Sequence, residues 1–182
     1  MIPMIEKGGI KGKPIRVASK QKAMDDHAAA MERIMKDCFA TLNEVEAYSK
    51  MLARHLGRPT TLEEGLLAYL ERMVPFTDDP DSRGRMLLGI AETRAMLGID
   101  NIEVLQAFHR NELNGFKEMG FAKVTIQVAK DGCPACAKMD GKIMETGVAI
   151  KELPLPCPKC SKKPFPKGSN LCRCRFAAVF IE

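Results

Sequence analysis

Six of the seven cysteines lie between positions 133 and 174, and this clustering constrains the fold more than any other feature of the chain. The six are Cys133, Cys136, Cys157, Cys160, Cys172 and Cys174. The first four form two C-x2-C pairs separated by twenty residues, a spacing typical of zinc ribbons and related sites. Each pair encloses a proline that helps to fix a tight turn, and two such turns supply four thiolates to one tetrahedral Zn²⁺. The pattern therefore predicts one structural zinc ion.

The sequence leaves open which four cysteines bind the ion. Cys172 and Cys174 form a C-x-C pair that, together with Cys133 and Cys136, gives an equally valid set of four. Six thiolates could also hold two ions through bridging sulfurs. Two other interpretations of the C-x-x-C pair are a disulfide and a thiol redox couple, although a thioredoxin-like couple needs a βαβ context that this sequence lacks.

The surrounding sequence favours metal binding over disulfides. No apolar stretch approaches the ~18–20 residues of a membrane span, so we expect no membrane association. The first twenty residues contain no apolar segment of the kind found in secretory signals. We therefore expect a reducing, cytoplasmic setting, in which cysteine clusters bind metals more often than they form disulfides.

Changes in composition and in hydrophobic periodicity divide the chain into three parts. Residues 1–20 contain five basic residues against one acidic residue, and the glycines and prolines of residues 1–18 predict a flexible basic arm there. Residues 19–120 carry helical periodicity, and residues 121–182 form a cysteine-rich zinc-binding module. The absence of Trp, the low aromatic content of 5% and the 12 methionines favour a helix-rich core. The predicted fold class is α+β: a mainly α-helical N-terminal bundle followed by a small β-rich module held together by zinc.

A heptad-like stripe predicts a long first helix over residues 19–56. Its members are Met24, Ala28, Met31, Met35, Cys38, Leu42, Val45, Ser49, Leu52 and Leu56. Apolar flanking positions favour a helix packed within a bundle over the alternative, a homo-oligomer in which two copies pair through this helix. Thr41 and Glu44 could form a capping box that would break the helix. Cys38 lies on the stripe and is predicted to be a core residue.

Capping signals predict three further helices. Gly57 and Pro59 end the first helix, and Thr61 with Glu64 begins the second. Asp81 or Ser82 is expected to cap a third helix that ends at Gly98. Asp100 with Glu103 is expected to form a capping box that opens a fourth helix, which runs from Asn101 to about Met119.

Two strands are predicted within the cysteine-rich module. Val124, Ile126 and Val128 alternate with polar residues, and the closing stretch RCRFAAVFIE is the second candidate. About 60 residues with so few short strands bury too little apolar surface to be stable unaided. We therefore expect the metal to hold the module together.

No pattern for enzymatic chemistry accompanies the cysteines. The chain has no H-E-x-x-H, G-x-S-x-G, P-loop or G-x-G-x-x-G motif. His109 and Glu112 lie three residues apart on the predicted fourth helix and are interpreted as part of a solvated face. A zinc ion with four thiolate ligands has no open position for catalysis. A non-enzymatic role is therefore expected.

One combination of motifs resembles a known family. The stretch from AFHRNELNGF to DGCPACAKMDGKIM, followed by LPLPCPKC and CRCRFAAVF, is similar to the C-terminal part of the phage head-morphogenesis (minor head protein, Mu F-like) family. The matching positions are Cys133, Cys136, Asp140, Gly141, Lys142, Pro154, Pro156, Cys172, Arg173 and Cys174. A His-Pro pair usually precedes the final C-R-C in that family, whereas this chain has Ser-Asn-Leu there and an additional pair, Cys157 and Cys160.

The resemblance implies a non-catalytic head-assembly protein, located in the host cytoplasm or in the virion, whose partners are capsid or portal proteins. The alternative from the residues alone is a zinc-ribbon protein that binds nucleic acid. Its phosphate contacts would be Lys159, Lys162, Lys163, Lys167, Arg173 and Arg175. A weaker alternative is a thiol oxidoreductase built on Cys133 and Cys136.

Overall fold

The computed structural model describes residues 15–130, 132–157, 160 and 171–180. Within them the elements are α1 (Ile15–Asp37), α2 (Leu42–Leu56), α3 (Leu62–Met73), a 3-10 turn (Val74–Phe76), α4 (Pro80–Met96), α5 (Ile102–Glu118), β1 (Lys123–Gln127), α6 (Pro134–Ala137), β2 (Ile143–Glu145), α7 (Thr146–Glu152) and β3 (Arg175–Ala178). Helices precede a small antiparallel sheet, so the predicted α+β class is confirmed.

The segment predicted as one long first helix forms two helices. Helix α1 ends at Asp37, and Phe39 adopts a positive φ of 57° that turns the chain. The Thr41 side chain then accepts a hydrogen bond from the Glu44 backbone, and the Glu44 carboxylate accepts one from the Thr41 backbone. This is the predicted capping box, and α2 begins directly after it.

Because the chain turns between α1 and α2, the heptad-like stripe is not one buried face. Cys38 and Val45 are buried, as predicted for core residues. Leu42 and Leu56 are 49% and 47% exposed, because a stripe drawn through a continuous helix no longer follows the chain beyond Phe39. Met24, within α1, is 66% exposed. Pairing of two chains through residues 19–56 stays a prediction.

Two of the other predicted helix starts differ from the structure. Thr61 and Glu64 form the expected capping box at the start of α3. Helix α4 is capped by Asp79, whose carboxylate accepts a hydrogen bond from the Ser82 backbone at 2.7 Å, and not by Asp81 or Ser82. Pro80 occupies the first helical position, where its missing N–H costs nothing, and this moves the helix start upstream.

The predicted capping box at the start of the fourth helix is also wrong. Asp100 accepts a hydrogen bond from the Ile102 backbone, two residues further on, at 3.0 Å. That local bond takes the carboxylate away from the Glu103 backbone, so α5 begins at Ile102 with Asn101 as its N-cap residue. Helix α1 likewise begins at Ile15, four residues before the predicted start, and residues 1–14 of the predicted arm lie outside the described residues.

The helices pack into a bundle in which α4 is central. Helix α2 packs on α3, and α1, α3 and α5 all pack on α4. The helical core formed by α1 to α4 consists of Met31, Ile34, Cys38, Val45, Leu66, Tyr69, Leu70, Met86 and Ile90. No helix in the described part of the chain is both long and apolar enough to cross a membrane.

The sheet places β1 between β2 and β3, with both pairings antiparallel. Val124 pairs with Met144 on one side and Ala178 on the other, and Ile126 pairs with Phe176. Strands β1 and β3 match the two predicted strands, although Val128 lies just beyond the end of β1. Strand β2 and helix α7 were not predicted, because their three and seven residues are too short for a clear periodic pattern.

A second core joins the helices to the cysteine-rich region. Leu105 and Leu113 of α5 and Ala91 and Ala95 of α4 belong to the same buried cluster as the sheet and the cysteines. Helix α5 contacts both α7 and β3. The helical region before residue 120 and the cysteine-rich region after it therefore share this second core across the predicted boundary.

Candidate metal centre

The first C-x2-C pair lies on the connection between β1 and β2. Cys133 is the N-cap residue of the short helix α6, and its sulfur accepts a hydrogen bond from the Cys136 backbone at 3.4 Å. Pro134 occupies the first position of that helix. This turn brings the two thiols onto the same side of the backbone, which is the arrangement of a zinc knuckle.

The loop that carries this turn is held at its base by two residues of the Asp-Gly-Lys sequence at positions 140–142. The Asp140 carboxylate accepts a hydrogen bond from the Val128 backbone at 2.9 Å, across the connection between β1 and β2. Gly141 has a φ of +72°, in the left-handed region that glycine enters without strain. Asp140 and Gly141 therefore hold the base of the loop that carries Cys133 and Cys136.

The second C-x2-C pair follows α7. Leu153 and Leu155 are buried in the shared core and direct the chain toward the first pair. The Cys160 backbone donates a hydrogen bond to the Cys157 carbonyl at 2.8 Å, which closes a second tight turn.

The two turns bring four sulfurs to one point. The sulfur of Cys133 lies 3.9 Å from that of Cys157 and 3.8 Å from that of Cys160, and the sulfurs of Cys136 and Cys157 are 3.3 Å apart. All four sulfurs lie within 4.8 Å of one another. A tetrahedron with metal–sulfur bonds of about 2.3 Å has edges of about 3.8 Å, so the spacing suits a bound metal ion.

The C-x-C pair approaches the same cluster from the segment that leads directly into β3. Burial alternates along Cys172, Arg173, Cys174 and Arg175, with the cysteines buried and the arginines exposed. In an extended chain, residues two apart face the same side, so both thiols point inward. The sulfurs of Cys136, Cys172 and Cys174 form a second group within 4.8 Å, in which Cys136 and Cys172 are 3.9 Å apart.

None of the seven cysteines forms a disulfide in the described structure, and burial controls the protonation of several of the thiols. Desolvation raises the pKa of Cys172 to about 12 and also raises the pKa of Cys136 and of Cys157. At neutral pH these thiols stay protonated unless a cation replaces the proton. A bound divalent ion deprotonates a coordinating thiol outright, so metal binding here would release protons.

The same burial argues against thiol redox chemistry at this turn. A reactive cysteine is partly exposed and has a lowered pKa, because the thiolate is the nucleophile. Cys133 and Cys136 are 5% and 0% exposed, and the pKa of Cys136 is raised. The turn therefore has the properties of a ligand pair rather than of a nucleophile.

Of the six basic residues predicted to contact phosphates, the structure describes two. Arg173, between the two cysteines of the C-x-C pair, and Arg175, at the start of β3, are both exposed. The four lysines lie outside the described residues: Lys159, Lys162, Lys163 and Lys167. A cavity of about 460 Å³ opens beside both arginines. Its lining also includes Cys172, Cys174 and Lys130, and the last of these was not singled out from the sequence.

His109 differs from its predicted place on a solvated helical face. It is 1% exposed and packs edge-to-face against Phe176 at a centroid distance of 5.6 Å. Its Nδ1 lies 3.3 Å from a Glu112 carboxylate oxygen, and its Nε2 has no hydrogen-bond partner among the described residues. Leu105 and Leu113, four residues to either side, are buried on the same face of α5, and this spacing is the sequence signal that could have identified His109 as a core residue.

Comparison of the chain with protein-family models, with curated proteins and with solved structures found no match.

Proposed function

We propose that this chain is a non-catalytic structural and interaction protein whose C-terminal part is held together by a zinc ion. The observation that carries the proposal is the group of four sulfurs from Cys133, Cys136, Cys157 and Cys160. Three of the four residues are buried, and three of the sulfur–sulfur distances between the two turns, 3.3, 3.8 and 3.9 Å, are close to the edge length of a tetrathiolate tetrahedron.

The ligand chemistry supports zinc in a structural role. Four thiolates in tetrahedral geometry select zinc or an iron–sulfur cluster, and a single ion fits the compact sulfur group. Four protein ligands leave no coordination position for a water or a substrate, which is the mark of a structural site. The short strands and helix α7 around the cysteines then depend on the ion for much of their stability.

We further propose that the protein acts in phage or prophage head morphogenesis, at the capsid or the portal. Supporting this, the positions that carry the resemblance belong to one folded unit: Asp140 and Gly141 hold the loop of Cys133 and Cys136, and Cys172 and Cys174 approach the same cluster. In this proposal, Cys157 and Cys160 replace as ligands the histidine that the family usually has. The helical bundle would then provide the contacts with other head proteins.

The zinc proposal is tested by metal analysis of the full chain, purified without added metal. We expect at least one zinc per chain in the parent protein and loss of zinc in Cys133→Ser, which removes a buried ligand. The matched control is Cys38→Ser, because Cys38 is also buried but lies in the helical core away from the cluster. A zinc content in Cys133→Ser equal to that of the parent protein, or no zinc in the parent protein, would refute the proposal.

The head-morphogenesis proposal needs a separate experiment. We expect purified heads from a host that carries the gene to contain the chain in a fixed ratio to the portal protein. Deletion of the gene should reduce the yield of DNA-filled heads, and the Cys133→Ser variant should fail to restore it while Cys38→Ser succeeds. Normal numbers of filled heads in the deletion strain would refute this role.

Nucleic-acid binding is the second candidate because Arg173 and Arg175 are both exposed beside the cluster. Contacts with phosphates release counterions, so the logarithm of the binding constant should fall linearly with the logarithm of salt concentration. Reversal of charge at Lys162 and Lys163 should abolish binding if the lysines contribute. Binding that is insensitive to salt, or none at low salt, would eliminate this candidate.

A further inference from the structure

The tetrathiolate site leaves two buried thiols unexplained. Cys172 and Cys174 are 8% and 2% exposed, and their sulfurs lie within 4.8 Å of each other and of the Cys136 sulfur. The alternation of buried cysteines and exposed arginines directs both thiols at the cluster. Cys136 is therefore common to two groups of sulfurs, each compact enough to surround an ion.

A thiolate can bridge two metal ions because its sulfur has more than one lone pair. The sulfur of Cys136 lies 3.3 Å from that of Cys157 and 3.9 Å from that of Cys172, so it faces both groups at contact distance. No other cysteine belongs to both groups. Cys136 is also fully buried, at the centre of the cluster, where a bridging ligand would lie.

We propose that the six clustered cysteines hold two divalent metal ions, with the Cys136 thiolate as the bridging ligand. The first ion is the zinc of the proposed function, on which this inference rests, and the second is bound by Cys136, Cys172 and Cys174. Each of Cys172 and Cys174 loses a proton as the second ion binds, so the two added negative charges offset the charge of the ion.

The second ion has three protein ligands and an accessible fourth position. Cys172 and Cys174 both line the cavity of about 460 Å³, so a water molecule can reach the ion from that side. The same cavity is lined by three basic residues, Lys130, Arg173 and Arg175, against one carboxylate, that of Glu92. This excess of positive charge would offset the net negative charge that remains on a cluster of six thiolates and two divalent ions. With one fewer thiolate and an exchangeable ligand, the second ion should dissociate before the first.

The test is ¹¹³Cd NMR on the full chain after replacement of its metal with ¹¹³Cd²⁺. We expect two cadmium resonances of equal intensity, each split by the other, because scalar coupling between the two nuclei passes through the bridging sulfur. A single unsplit resonance would overturn the second site and leave the proposed function intact. Two unsplit resonances would overturn the bridge, and no bound cadmium or zinc would refute the proposed function itself.

Variants provide an independent measurement. The double variant Cys172→Ala with Cys174→Ala should keep one ion per chain and lose the splitting, whereas Cys38→Ala should keep two coupled ions. Titration of the parent protein with a chelator should release the metal in two separate steps of equal size. Release in one step, or an unchanged metal content in the double variant, would overturn the proposal.

Discussion

Removal of the metal should loosen helix α5 as well as the region around the cysteines. Structural zinc sites contribute apparent binding free energies of about 10–16 kcal/mol, which is comparable with the whole stability of a typical domain, about 5–15 kcal/mol. The strands β1 to β3 and helix α7 should therefore lose their fixed packing when a chelator removes the ion.

The effect extends to α5 because that helix buries side chains against the same core. Leu105 and Leu113 are 2% and 0% exposed and belong to the cluster that contains the cysteines. Exposure of a leucine side chain costs about 1.5–3 kcal/mol, so loss of this contact should weaken α5 by about 3–6 kcal/mol. Amide exchange in α5 should then accelerate roughly a hundredfold to ten-thousandfold.

Hydrogen–deuterium exchange with peptide-level resolution measures this effect directly. We expect amides of β1 and α5 to lose protection after metal removal, while amides of α2 and α3, which pack in the helical core, keep most of theirs. Cys133→Ser should reproduce the chelator result without a chelator, whereas untreated Cys38→Ser should show the same protection of α5 as the untreated parent protein. Unchanged protection of α5 in the metal-free protein would refute the shared-core argument.

Three further predictions concern single residues. A methyl group at Gly65 would lie 2.7 Å from both the Val45 carbonyl oxygen and the Ser49 Cβ, so Gly65→Ala should lower the free energy of unfolding in urea by about 1–3 kcal/mol. The control is Gly115→Ala on helix α5, where an added methyl group would meet no neighbouring atom within 4 Å outside the backbone of its own helix. This change should raise the free energy of unfolding by about 0.5–1 kcal/mol, and equal effects of the two changes would contradict the packing of α2 on α3. His109→Leu removes a buried Nε2 that has no hydrogen-bond partner in the described structure and should raise the free energy of unfolding by about 1 kcal/mol; a decrease would mean that this nitrogen is satisfied. Hydrogen bonds from Ser82 lower the pKa of Asp79, so its stabilisation of α4 is present above the ordinary pKa of aspartate and is lost as pH falls through the lowered value. The free energy of unfolding of Asp79→Ala should therefore fall less with decreasing pH than that of the parent protein. An identical dependence on acid pH would show that Asp79 does not contribute to the pH dependence of stability.

Local signals in the sequence were sufficient where the controlling interaction is itself local. The capping boxes of Thr41 and Thr61 each depend on a residue three positions away, and both are present. The alternation of Val124 and Ile126 likewise identified β1. The same reasoning failed at Asp100, because the sequence contained two competing local hydrogen bonds and did not show which would form.

The sequence determined that six cysteines would be available as metal ligands, and the spacing of the two C-x2-C pairs predicted a tight turn for each of them. Only the tertiary structure decided how the pairs combine. The distances that bring Cys157 and Cys160 to Cys133, and Cys172 to Cys136, depend on where α7 and β3 dock on β1 and α5. The same docking buries His109 and merges the core of α5 with that of the cysteine cluster. These are contacts between residues far apart in the chain, which periodicity and capping rules do not encode because those rules describe only the nearest neighbours along the backbone.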